Sequence, residues 1–93
     1  MAAQVRKNPA ASRYELVVDD RVVGIADYRV NGDAVLFPHT EVLPQLQGRG
    51  LGAVLVQGAL DDVRTTGRTV VPRCWYVAAF IDDHPEYADL LAA

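Results

Sequence analysis

Gln47-Gly48-Arg49-Gly50-Leu51-Gly52 holds the residues of this chain whose types and spacing best suit chemistry. Glycines at 50 and 52 permit backbone angles that other residues resist, and they let a ligand come close to the main chain. The stretch lies between an extended segment and a long run of apolar periodicity, so its amides fall at a helix start. Several N–H groups there lack an intrahelical acceptor and can converge on a phosphate. The helix dipole adds partial positive charge, and the Arg49 guanidinium offers a full charge in a fork that matches phosphate oxygens. Anion binding is the chemistry these residues suit, and a tight turn is the plain alternative.

The flanking pattern supplies the elements that must position this loop. Arg13 to Val18 and Val22 to Val30 read as strands around a break at Asp19-Asp20, and Asn31-Gly32-Asp33 is a strong turn signal leading into a third strand from Ala34 to about Val42. These three form a meander. Pro44 cannot donate to a ladder, which ends the third strand near Leu43. From Leu51 the apolar residues Val54, Leu55, Leu60 and Val63 recur at helical spacing for about four turns, until Thr65-Thr66-Gly67 stops them. Thr69 to Cys74 is a short β-branched strand, and the strand–helix–strand unit so formed makes it parallel to the third. Tyr76 to Ile81 reads as a short helix, Asp82 to Pro85 as a break, and Glu86 to Leu91 as a final turn or two. Residues 1–12 read as a loose segment or a short edge strand around Val5.

This order of elements, with its Gln-x-x-Gly-x-Gly loop, resembles the Gcn5-related N-acetyltransferase family. His39-Thr40-Glu41-Val42 before the loop, Val71-Pro72-x-Cys74-x-Tyr76-Val77 after it, and His84-Pro85-Glu86-Tyr87 near the end are similar to the short, single-domain branch of that family. The resemblance spans roughly residues 13 to 91. It implies an α+β fold: one domain over 1–93, a mostly antiparallel mixed sheet of four to five strands, a parallel β-α-β crossover at the cofactor site, and two to three helices. It further implies that Gln47, Gly48, Arg49, Gly50, Leu51 and Gly52 hold the pyrophosphate of coenzyme A. Larger members carry two helices between the first two strands that help build the acceptor site, and this chain has no segment long enough for them.

Acyl transfer from a thioester to an amine requires a neutral nucleophile, a polarised carbonyl and a proton for the departing thiolate. Where two parallel strands splay, unpaired backbone groups can hold the pantetheine arm, with Glu41, Val42 and Leu43 on one side and Pro72, Arg73 and Cys74 on the other. Glu41 and His39 share a face by period-2 alternation and are the candidate base pair. The alternatives are a solvated strand-end charge for Glu41 and a hydrogen-bonded core residue for His39. Cys74 can relay acetyl covalently, shuttle a proton, or fill space as a small buried apolar group. The family resemblance makes Tyr76 a candidate for protonating the thiolate, the alternative being an aromatic that packs the sheet against the last helix. Asp61-Asp62 and Asp82-Asp83 read as solvated helix faces and ends, and Trp75 as a packing residue or part of a subunit contact.

Composition narrows the function classes. With 51% hydrophobic and 23% charged residues, the 93-residue chain is ordinary globular material for one domain. A net charge of −3 and a pI near 5.1 give no broad basic surface for nucleic acid. His39, Cys74 and His84 lack the close spacing of a zinc site, so no metal is expected. No stretch reads as a membrane span or secretion signal, and a cytoplasmic location is the default expectation. Two classes of function remain in view: an acetyl-CoA-dependent N-acetyltransferase acting on a small-molecule or protein amine, and a CoA- or acyl-CoA-binding module with little turnover. A third is a small interaction domain whose glycine loop is only a turn. The acceptor and the oligomeric state leave no readable mark.

Overall fold

The computed structural model describes residues 2–92; Met1 and Ala93, the ends of the expected 1–93 domain, lie outside the described residues. Five strands form one sheet in sequence order: β1 (Ala3–Asn8), β2 (Arg13–Val18), β3 (Arg21–Asn31), β4 (Ala34–Val42) and β5 (Thr69–Val71). The first four are antiparallel, and β5 lies parallel to β4 after the crossover helix α1 (Leu51–Thr66). Helix α2 (Trp75–Asp83) follows, then a 3-10 turn over Pro85–Leu90, after which Leu91 bridges Val70 of β5. The shortest dimension is 19 Å, which fits one sheet and one layer of helix.

Local signals explain the meander. Asp19 and Asp20 both take positive φ, the geometry that lets a two-residue hairpin follow the twist of its strands. In β2 all of Tyr14 to Val18 are buried, yet alternation still sorts them. Tyr14, Leu16 and Val18 enter the core with Phe37, Leu55, Leu60 and Val63, while Glu15 and Val17 occupy the opposite face.

Residues 3–8 are a full edge strand rather than a loose segment, and four side-chain contacts hold them. Val5 packs so closely on helix α1 that a Cβ on Gly58 would lie 2.7 Å from it. Lys7 Nζ reaches Asp62 at 3.7 Å, and Arg6 Nε donates to Glu15 at 2.8 Å. Arg13 and Asn8 also donate to Glu15, whose side chain is only 3% exposed. These bonds, Arg6's foremost, favour the ionised carboxylate and bring its pKa down to about 2. Asp61 and Asp62 are not merely solvated. They accept from the hydroxyls of Tyr87 (2.7 Å) and Tyr14 (2.6 Å), tying α1 to the C-terminal turn and to β2. Burial, reinforced by the Asp61 bond, pushes the Tyr87 hydroxyl up to about 12, and burial with the Asp62 bond raises Tyr14.

Two strand details differ from the sequence expectation and bear on the site. Pairing shifts between Asp27↔His39 and Arg29↔Leu36, so β4 carries an extra residue at Phe37-Pro38. This bulge resets the alternation: Phe37 is in the core, Thr40 and Val42 are half-buried, and His39 and Glu41 are exposed. The fifth strand stops at Val71 instead of continuing to Cys74. Pro72 has no N–H to extend the ladder, and the Arg73 N–H turns back to the Val71 carbonyl.

Candidate functional site

After Leu36↔Val71 the two parallel strands part. One further bond, from the Cys74 N–H to the Phe37 carbonyl at 2.8 Å, closes the apex of the gap. Beyond it the edge of β4 has no strand partner among the described residues, while its other edge remains on β3, with the Leu43 N–H donating to the Val23 carbonyl. Backbone alternation then directs the amides of Thr40 and Val42 to the open edge. A cleft of about 550 Å³ lies along it. Thr40, Glu41 and Val42 form one wall, Trp75 and Tyr76 the other, and the glycine loop with Leu46 and Leu51 the end.

The loop is built as a helix start without a side-chain cap. Pro44 opens a 3-10 turn over Pro44–Leu46, and the Gln47 side chain donates to the Val42 carbonyl at 3.1 Å, holding the loop to the strand. Gly50 precedes α1 at φ 75° with no side-chain cap and no acidic residue in the first turn. The amides of Leu51, Gly52 and Ala53 therefore lack an intrahelical acceptor. Space around Gly48 and Gly50 is open, and both have positive φ.

Gly52 has a different reason. A Cβ there would lie 2.7 Å from the Tyr76 hydroxyl, so the tyrosine fills the space a side chain would need. This contact joins α2 to the first turn of α1. It sets the Tyr76 hydroxyl beside the first turn of α1, on the cleft wall.

Other expected residues divide between the cleft and its surroundings. His39 Nε2 lies 3.3 Å from Glu41 Oε1, and their side chains are 56% and 63% exposed, so the pair forms on an open face and His39 is no core residue. Glu41 borders the cleft; His39, Leu43 and Arg49 are not among its lining residues. Cys74 is buried in the hydrophobic cluster at the apex. The wall expected from Pro72, Arg73 and Cys74 is supplied instead by Trp75 and Tyr76, because the chain turns into α2 directly after Cys74.

Sequence reasoning missed three lining residues, Thr40, Leu46 and Trp75. Among the described residues Thr40 Oγ1 is buried without a hydrogen-bond partner, and only the bulge at Phe37-Pro38 turns it inward. Trp75 is 77% exposed on the cleft wall rather than packed. Among the described residues no cluster of His, Cys, Asp and Glu could hold a metal ion, and no described helix is long and apolar enough to cross a membrane.

Comparison with known proteins agrees with this geometry. The family model described as GCN5-related N-acetyl-transferase matches residues 13–90. The chain belongs to the GCN5-related N-acetyltransferase family. Within this family it is 35% identical over 66 residues to Protein NATD1 of Bos taurus, covering 71% of this chain and 58% of that protein. The chain thus spans a little over half the length of that curated relative. A GCN5-like protein of Staphylococcus aureus, solved by NMR, has the same fold, with a TM-score of 0.73 at 16% identity over 97% of this chain and 88% of that one. The ribosomal-protein-S18-alanine N-acetyltransferase of Escherichia coli superposes at 0.66 with 18% identity, over 76% of this chain and 49% of its own. N-acetylglutamate synthase of Neisseria gonorrhoeae, complexed with coenzyme A and N-acetyl-glutamate, reaches 0.59 at 19% identity over 75% and 19% of the two chains.

Proposed function

We propose that the cleft binds acetyl-CoA and that the protein transfers the acetyl group to an amine. The observation that carries this reading is that an uncapped helix start and an unpaired strand edge open onto one cleft. The free amides at Leu51, Gly52 and Ala53, with Arg49 beside them, suit a diphosphate, whose charge the helix dipole favours. The amides of Thr40 and Val42 suit the amide groups of a pantetheine arm laid along β4 as a further strand-like segment. The orphaned Thr40 hydroxyl supports a polar occupant, since a buried hydroxyl without a partner is costly until something bonds it.

In this reading the Gly50–Ala53 amides anchor the donor and the β4 edge orients its thioester. Glu41, open to solvent, takes the proton that the amine loses and passes it to water, with His39 hydrogen-bonding the carboxylate from the same face. The Tyr76 hydroxyl, beside Gly52, serves the diphosphate end, and solvent in the open cleft protonates the departing thiolate. Transfer is direct, because the Cys74 thiol is packed in the core.

The test has two steps. At a hundred times its dissociation constant acetyl-CoA stabilises a protein it binds only in the native state by about 2.7 kcal/mol, which raises the melting temperature of a domain this size by roughly 10–20 °C. Adding amines to the complex should then release thiol faster than the uncatalysed reaction does. Binding without turnover would favour a CoA-binding module, and no thermal shift at millimolar acetyl-CoA would reject both readings.

A further inference from the structure

We infer that Trp75 and Glu41 select the acceptor as a cation, so that the substrates are alkyl ammonium compounds or lysine side chains rather than weakly basic or acidic amines; this rests on the acetyl-transfer reading above. Glu41 is the one charged residue among those described as lining the cleft, and no Lys, Arg or His joins it there. At neutral pH an alkyl amine arrives as R–NH3+, and a wall whose one charged lining group is a carboxylate, with His39 at 3.3 Å from it outside the lining, attracts that form. Trp75 supplies the complementary surface. It is the most exposed large hydrophobic residue described, and it opens α2, where the backbone bond of Cys74 to Phe37 holds the helix start against β4.

An exposed indole has a high cost in apolar surface left in water, and nothing in the described packing requires one at position 75. Its neighbour Tyr76 is the residue that packs, with its hydroxyl against Gly52 and its ring edge-on to the indole at 5.6 Å between centroids. With 77% of its surface exposed on the cleft wall, the indole remains open to a ligand. The face of a tryptophan is the aromatic surface that best attracts an ammonium group. The same two groups prepare the nucleophile. Glu41 or water removes one proton from R–NH3+, the nitrogen lone pair forms the C–N bond, the C–S bond breaks with its electrons on sulfur, and the thiolate takes up a proton. The sum is R–NH3+ plus acetyl-CoA giving R–NH–acetyl, coenzyme A thiol and one proton.

Steady-state kinetics with pentylamine and methoxyamine, the second largely uncharged at pH 7, separate recognition of charge from recognition of nitrogen. Trp75→Leu should raise KM for pentylamine about 5- to 10-fold with kcat within about twofold, and leave methoxyamine nearly unchanged. Pentyltrimethylammonium, which cannot react, should compete with pentylamine in the wild type and lose about 5- to 10-fold in affinity in Trp75→Leu. Calorimetry with coenzyme A on the same proteins keeps the two readings apart. If Trp75→Leu weakens coenzyme A and spares pentyltrimethylammonium, the indole covers the cofactor and the inference is overturned while acetyl transfer stands. Equal effects on pentylamine and methoxyamine would overturn it as well. A wild-type protein that fails to bind coenzyme A would overturn the acetyl-transfer reading itself.

Discussion

Strand β4 belongs to two regions of unlike construction. Its first half, Ala34 to Leu36, is paired on both edges, and Val35 and Phe37 are sealed beneath α1. Its second half keeps β3 on one edge and leaves the other open to a cleft, with a bulge at Phe37-Pro38 as the border. One region satisfies its backbone and buries its side chains, so its residues answer to stability. The other leaves amides and a hydroxyl unpartnered in a small domain with little stability to spare, which makes a ligand the natural partner for them.

Substitutions on either side of the border should therefore behave differently. Phe37→Ala, in the sealed region at 1% exposure, should cost roughly 3–5 kcal/mol and leave the protein partly unfolded at 37 °C, as chemical denaturation would show. Glu15 tests the sealed region by pH. Its folded pKa of about 2 lies below the ordinary 4.5, so its contribution is fully present above pH 4.5 and is lost as pH falls toward 2. Glu15→Gln should remove about 2 kcal/mol at neutral pH and flatten urea-denaturation stability across that window.

Gly52→Ala sits on the border of the cleft, where the new Cβ meets the Tyr76 hydroxyl at 2.7 Å. It should cost about 1–2 kcal/mol by displacing Tyr76, and weaken coenzyme A roughly tenfold. Adding Tyr76→Phe, which removes the nearest atom, should recover part of the stability in thermal melts. Thr40→Val is the mildest change and the sharpest contrast. Deleting a hydroxyl with no partner should leave stability unchanged or raise it by up to about 1 kcal/mol, while calorimetry should show coenzyme A affinity falling several-fold.

Much of the scaffold was legible because local signals and tertiary demands agree. Pro44, Gly50 and Gly67 bound their elements as backbone sterics require, and the span from Ala34 to Thr66 follows the expected pattern. The N-terminal strand was harder to read because its sequence is polar. What holds it is Arg6 and Asn8 on Glu15 and Val5 on Gly58, contacts that only the assembled sheet creates. The candidate site was legible at the glycine loop and at Glu41, whose positions follow from the chain order. Thr40 depended on a bulge, which shifts the two-residue period without a marker beyond Pro38. Cys74 depended on where β5 ends, and one proline moved it from the cleft wall into the core. Gly52 lines the cleft, and its missing side chain also makes room for Tyr76.

Amide NMR of the labelled protein titrated with coenzyme A tests the central claim most directly. The account predicts the largest shifts at Gly50, Leu51, Gly52, Ala53, Thr40 and Val42, with β1 and β2 nearly silent. Shifts that are absent at saturating ligand, or centred on any other part of the sheet, would contradict it.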